Sequence, residues 1–411
     1  MNLQHFIARR LINAKEHKSS ISAPIIKIAI AAVAIGMLMM IVSVAAGMGL
    51  QQKIREKVSA FNGHVSITNF DDNQSEVSVN PIDINQPFYP KFKNIQGVSH
   101  IQAVASKAGI IRTENAFEGI VFKGVGKDFQ WKNIDEYIIQ GNKPNLSNDL
   151  NSEVVISQYL ADRLQLKLGD KFNTFFMKDQ NNQRPNLRVF TIVGVFNSGL
   201  KEFDGTYIIG DIRHVQRINK WKPNQIGAFE VFIDDFSNIE GKSKEIYGEI
   251  GSTLDTQSIT SKYAFIFEWL KLFDFNIILI IGIMILVATI NMAVALLVLI
   301  LERTRMIGIL KALGGNNAFI RKIFLYNAFY LIVRGLFWGN LIGIGLLLIQ
   351  QYTGVVTLNP ENYYVNQAPV VINWWYIAAL NLGTMFFCLI ILLIPSYIIT
   401  KISPVQAIRF S

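Results

Sequence analysis

The chain has 411 residues, 51% of them hydrophobic, one cysteine and a formal net charge of +9. The charge does not describe a nucleic-acid binder. The block Gln51–Asp274 holds 26 Lys/Arg against 27 Asp/Glu and nets −1, while the remainder holds 13 against 3 and nets +10. The folded block therefore has no basic face, which excludes DNA or RNA as a partner. The excess cations lie beside apolar runs, where they set membrane topology.

In chain order, Asn2–Lys18 sets Phe6, Ile7, Leu11 and Ile12 against Arg9, Arg10 and Lys15. This reads as an amphipathic helix on a membrane surface, with a disordered basic leader as the alternative. Residues 1–24 are taken as this cytoplasmic segment. Four nearly uncharged stretches follow, roughly Ile28–Gln52, Phe275–Leu301, Gly335–Gln350 with apolar residues before it, and Val370–Thr400. Each approaches the ~20 apolar residues a helix needs to cross a bilayer. The first is too long for a signal-peptide core and reads as an uncleaved anchor. The spans are placed at 25–52, 271–301, 325–350 and 373–400.

Arg9, Arg10, Lys15, Lys18 and Lys27 precede the first span, Arg303, Arg305, Lys311, Arg321 and Lys322 join the second to the third, and Lys401 and Arg409 follow the fourth. The loop between spans three and four, 351–372, carries only Glu361. Both termini (the tail being 401–411) and the 302–324 loop are thus expected inside, with the large block and the 351–372 loop outside. Cys388 lies in the fourth span, so the outer block folds without a disulfide.

The expected fold class is a four-helix membrane protein with a large mixed α/β periplasmic domain, 53–270, between helices one and two. QQKIREKVSAF and SKYAFIFEWLKLFDF extend the first two spans outward as helical stalks. Strands are predicted at His64–Thr68, Ile101–Ile111, Phe117–Lys123, Glu153–Ile156, Lys171–Met177, Leu187–Phe196, Thr206–Ile209 and Ala228–Ile233. Helices are predicted at Gln158–Leu164, Ile212–Asn219 and Ile239–Ile250. The polar run KDQNNQRPN between two strong strands reads as a hairpin tip.

No catalytic motif appears: no HExxH, CxxC, GxSxG or P-loop. The five histidines are scattered, and Asp71–Asp72 and Asp234–Asp235 read as solvated turns. No metal or cofactor is expected on this chain, and any ATPase must come from another. The loop ERTRMIGILKALGGNNAFIRKIF is different. Met306, Ile309, Leu310 and Leu313 fall on one helical face, Gly314–Gly315 ends the helix, and Asn316 or Asn317 caps the next. Such a helix either docks on a partner or rests on headgroups.

ERTRMIGILKALGG resembles the cytoplasmic loop of the permease superfamily that includes FtsX, MacB and the lipoprotein-releasing permeases. FIARRL, GHVSI, GIVFKGVGKDF, VVISQYLADRLQLKLGDKF, FTIVGVFNSGLKEFD, IIGDIRHVQRI and IPSYIITKISPVQAIRF agree in order. The likeness covers nearly the whole chain and is nearest to the lipoprotein-releasing branch. MacB proper carries a fused ATPase, which this sequence does not show. The resemblance implies a bacterial inner-membrane permease working with a second permease, the same chain or a sister, and with two cytoplasmic ATPase subunits that hold ATP and Mg. It implies a coupling helix built from Arg303, Thr304, Arg305, Met306, Ile309, Leu310, Lys311, Ala312, Leu313 and Gly314. It also implies a periplasmic hairpin that could hold a lipoprotein carrier, matched by Met177, Lys178, Arg184, Pro185 and Leu187, with a bare surface turn as the alternative.

The expected activity is extraction of lipoproteins from the inner membrane. Transenvelope signalling of the FtsX kind and MacB-like export of peptides or small molecules are the alternatives. Spans one and two, continuous with the stalks, are the expected walls of a lipid cavity at Met40, Val44, Met48, Ile283 and Val287. Gly335, Gly339 and Gly343 form a close-packing face, either between permeases or within one. Arg334 is expected to snorkel, with a functional intramembrane charge as the alternative, and Asn291 and Asn381 to bond between helices.

Overall fold

The computed structural model describes residues 22–114, 116–146, 149–177, 185–359 and 363–401. The amphipathic leader and the tail beyond 401 lie outside the described residues. Two compact units emerge, one of Met1–Gln51, Trp269–Thr357 and Gln367–Ser411, the other of Gln52–Glu268 and Leu358–Asn366. The first helix, α1 (Ser22–Asn62), is a single 41-residue element.

The α/β unit then runs β1 (Val65–Asn69), β2 (Ile82–Asp83), β3 (Val98–Arg112), β4 (Phe117–Val125), β5 (Ile138–Gly141), β6 (Glu153–Ser157), α2 (Gln158–Leu164), β7 (Lys171–Phe176), β8 (Asn186–Phe196), α3 (Lys201–Asp204), β9 (Tyr207–Asp211), α4 (Ile212–Asn219), β10 (Gln225–Ile226), β11 (Ala228–Ile233), α5 (Ile239–Glu249), β12 (Leu254–Ser258) and α6 (Ile259–Lys262). All eight strands and all three helices expected of this block are present, their ends shifted by a few residues. The four strands not expected, β2, β5, β10 and β12, are short or polar and lack alternation. Ser157 accepts from Leu160 N–H at 3.0 Å and Asp211 from Arg213 N–H at 2.9 Å, which fixes where α2 and α4 begin.

Ten strands form one sheet in the order β12-β1-β11-β3-β4-β9-β6-β8-β5, with β7 pairing both β3 and β8. That double pairing closes β3, β4, β9, β6, β8 and β7 into a ring, and a ring leaves its strands no open edge. Phe122, Phe176 and Phe190 fill it, with Phe122 stacked on Phe190 at 5.0 Å and edge-on to Phe176 at 6.0 Å.

The membrane unit adds α7 (Ala264–Glu302), α8 (Thr304–Ala312), α9 (Asn317–Thr353), α10 (Trp374–Ser396) and α11 (Ile398–Lys401) to α1. Four of these helices are long and apolar enough to span a bilayer. Trp374, Trp375 and Tyr376 open α10 and are exposed, as aromatic residues at a membrane interface are.

The glycine face on α9 packs inside this chain, against α1. An added Cβ at Gly335 would lie 2.7 Å from Val33 Cβ, and one at Gly339 would lie 2.7 Å from Ala34 O and Met37 Cβ. At Gly343 it would only reach ordinary contact with Ile41 and Leu38, at 3.5 Å. The intrachain alternative therefore holds for these glycines. Asn381 does bond between helices, to Asn340 in both directions at 2.7 and 3.0 Å. Asn291 instead donates its amide to Val287 O of its own helix at 2.9 Å. Further along α1, Gln51 donates to Asp274 at 2.7 Å and joins α1 to α7.

Gly339→Leu is expected to force α1 and α9 apart and lower stability by about 1–3 kcal/mol, read as a fall in melting temperature of the full chain in detergent. Gly345→Ala, where a Cβ meets nothing within 4 Å, should leave it unchanged.

Candidate functional site

α8 is held at both ends. Thr304 Oγ1 donates to Leu301 O at 2.6 Å, and Lys311 Nζ donates to Ile399 O at 2.8 Å. After Leu313 the chain turns through Gly314, whose φ of +89° suits glycine, and Gly315 N–H returns to Leu310 O at 2.9 Å. Asn316, not Asn317, caps the next helix, accepting from Phe319 N–H at 2.7 Å.

The apolar residues of this helix do not share one face. Ile307 and Gly308 are buried, and Met306 and Leu310 pack on the bundle core. Ile309, 47% exposed, and Leu313, 79% exposed, stand outward with Arg305 and Ala312. Spacing of i, i+4, i+7 and i+8 places those four on one side. The stripe expected from sequence is split because the helix must also bury an anchor. Arg303 is the residue before the first turn, half-buried like Thr304.

The hairpin expected at 177–187 has its two flanks in β7 and β8, registered from Lys171↔Thr191 to Phe176↔Asn186. Lys178 and Arg184 lie outside the described residues. Met177, Pro185 and Leu187 are exposed at its root. Leu187 pairs with Phe175, and Phe175 with Ile110 on β3, so apolar side chains run across three strands, Ile110 and Leu187 exposed and Phe175 half-buried between them.

The five residues chosen as a lipid cavity are not brought together. Met40 and Val44 are buried within the helix bundle, Val44 lining a small cavity with Leu347 and Tyr376. Ile283 and Val287 are exposed on α7, 47% and 38%, and Met48 is half-buried. The physical reason is that α1 is packed on α9 through the glycines above, which turns its Met40–Val44 side inward. Ile35 and Met39 are the exposed positions at that level. Arg334 is exposed on α9. In a helix the Cα–Cβ bond tilts toward the N-terminus, here the end carrying Arg321 and Lys322. Among the described residues no group of three or more His, Cys, Asp or Glu is placed to hold a metal.

Comparison with known proteins agrees with this layout. The MacB-like periplasmic core domain model matches residues 28–246, more than half of the chain, and the FtsX-like permease C-terminal model matches 278–404. The chain belongs to the FtsX- and MacB-like family of ABC transporter permeases. It is 21% identical to the lipoprotein-releasing system transmembrane protein LolE of Haemophilus influenzae over 99% of both chains. It is 23% identical to LolC of Neisseria meningitidis, also named a lipoprotein-releasing transmembrane protein, over 100% of this chain and 99% of that one. Among solved structures it is similar to the periplasmic region of MacB from Actinobacillus actinomycetemcomitans, with 17% identity, a TM-score of 0.31, and coverage of 49% of this chain and 91% of that one.

In the permease's α/β unit, the end of α1 is received by charges that the sequence reading passed over. Lys123 on β4 and Glu230 on β11 are both buried and form an ion pair. The Lys123 ammonium also donates to Phe61 O, a carbonyl that the end of α1 leaves without a helical partner. Gln102 donates to the other Glu230 oxygen at 2.8 Å. Asn62 accepts from Tyr263 at 2.9 Å and Lys262 at 3.3 Å, so the residues opening the second stalk hold the end of the first. Burial pushes the Lys262 ammonium down and the Tyr263 phenol up. Gly63, at φ +67°, ends α1, and a Cβ there would meet Glu230 Cβ at 2.9 Å. The signal was available: each strand carries a lone charge inside an apolar run, GIVFKGV and AFEVFI.

Lys123→Met should cost about 3–5 kcal/mol by stranding Glu230, and adding Glu230→Gln should recover most of it, as measured by denaturant unfolding. A second expectation concerns His64, whose Nδ1 accepts from Ile233 N–H at 2.9 Å and whose ring sits against Phe232 and Phe236. Burial lowers its pKa from 6.5 to about 4. The unfolded chain therefore takes up this proton first, and stability falls as pH drops from about 6.5 to about 4, by on the order of 3 kcal/mol. His64→Gln should flatten melting temperature against pH in that window.

Proposed function

We propose that this permease, driven by a separate ATPase, extracts lipid-anchored proteins from the inner membrane and releases them toward a periplasmic carrier. The observation that carries the reading is α8. Between two spanning helices stands a short helix anchored by Ile307 on one side and presenting Arg305, Ile309, Ala312 and Leu313 on the other. A membrane-anchored helix with an exposed apolar and basic face fits a groove on a soluble subunit. Two such subunits with ATP and Mg, and a second permease, complete the machine in this reading.

The cargo side rests on chemistry and on the relatives' names. Each acyl CH₂ leaving the bilayer costs about 0.8 kcal/mol, so extraction needs both an external energy source and an apolar path. The path would be lined by exposed residues of α1 and α7, such as Ile35, Met39, Ile283 and Val287, rather than by Met40 and Val44. The apolar row beside the hairpin root, exposed Ile110 and Leu187 with half-buried Phe175 between them, is a fitting landing surface for a carrier of acylated protein. The α/β unit faces the periplasm in this reading, and both termini face the cytoplasm.

Leu313→Asp, at a position exposed to solvent, is expected to leave the fold intact and to cut ATPase co-purification at least tenfold. Depletion of the chain should leave lipoproteins in the inner membrane. Normal lipoprotein sorting with wall or division defects would instead support signalling, and efflux sensitivity alone would support export.

A further inference from the structure

Between α9 and α10 lies an apolar groove of about 400 Å³ near the end of the helices where α9 begins. Two inter-helix hydrogen bonds flank it. Arg321 Nε meets Ser396 Oγ at 3.2 Å at one end, and Asn340 meets Asn381 further along. Those ties are roughly 28 Å apart along α9. Between them Leu325 and Leu389 form the floor, packed on the bundle core, and Phe329, Phe386, Ile390 and Leu393 form the walls. Lys322 and Tyr326 close the end nearest the start of α9.

We infer that this groove binds one anionic glycerophospholipid, with an acyl chain along Leu325 and Leu389 and the phosphate at Lys322. Three observations select that occupant. Lys322 is exposed and has no hydrogen bond or ion pair among the described residues. No acidic side chain lines the groove, and the adjoining 302–324 segment holds five Lys/Arg against Glu302 alone. Two phenylalanines and two branched side chains wall it, whereas helices that pack in lipid meet through small residues. A second copy of this chain or another spanning helix would find no close-approach face here. A flexible acyl chain follows such walls, and a single cation at the polar end answers a phosphate. Basic pockets between spanning helices bind anionic headgroups in this way.

The lipid site itself does not depend on the transport reading. Assignment to the cytoplasmic leaflet does, because it uses the orientation proposed above. The test is native mass spectrometry of the purified full-length protein equilibrated with equal phosphatidylglycerol and phosphatidylcholine of matched chains. Wild type should retain one tightly held lipid per chain with about a fivefold preference for phosphatidylglycerol, the ratio expected for one basic group near a membrane surface. Lys322→Gln should keep a lipid but lose the preference. Ile390→Trp, on an exposed wall, should lose the lipid. Equal retention of both lipids by wild type, a preference that survives Lys322→Gln, or a lipid retained by Ile390→Trp would each overturn the inference. Labelling of Arg305→Cys from one side of the membrane tests the orientation separately.

Discussion

Hydrocarbon offers a backbone no hydrogen bonds, and it gives apolar side chains no reason to leave it for one another. The first condition makes every crossing segment a helix. The second means that the helices must be joined by something other than burial, and the membrane unit shows what that is. Gly335 and Gly339 let α9 approach α1 until backbone and Cβ atoms are in contact. The Asn340–Asn381 pair joins α9 to α10, and Thr289 reaches Cys388 between α7 and α10 at 3.5 Å. These few contacts decide which way each helix turns. The inward position of Met40 and Val44 and the outward position of Ile283 and Val287 follow from them.

The α/β unit solves the opposite problem, since it has water on its surface and must protect strand edges. β7 does so by pairing on both sides, and the closed ring holds an aromatic interior. The end of α1 needed a separate solution. A long helix that finishes against a sheet presents carbonyls in a place that water does not reach freely. Lys123 answers Phe61 O, and Glu230 answers Lys123. Neither charge would be tolerable there without the other.

α8 combines both environments in nine residues. It keeps Ile307 for its own bundle and leaves Ile309 and Leu313 exposed. Anchoring and presentation thus fall on opposite sides of one short helix. The groove between α9 and α10 is a different kind of feature, a place where the bilayer itself can enter the protein's structure at a defined position.

The spans and their near lack of charge, the strand-rich block between the first two helices and the short helix at 304–312 were legible in the sequence. Each depends on local composition or on a repeat of two or 3.6 residues, and local order decides those. The family likeness was legible for the same reason, because GHVSI, GIVFKGVGKDF and ERTRMIGILKALGG are contiguous. What only the tertiary structure decided is direction. Gly335 and Gly339 look the same whether they face α1 or another molecule, and Asn291 and Asn381 look alike until Asn381 is found bonded to Asn340 and Asn291 to a carbonyl of its own helix. Ile307, Ile309, Leu310 and Leu313 are equally apolar, and only the bundle beneath them chooses which are buried. A sequence states how apolar each residue is, whereas the partner it meets is set by contacts between segments hundreds of residues apart.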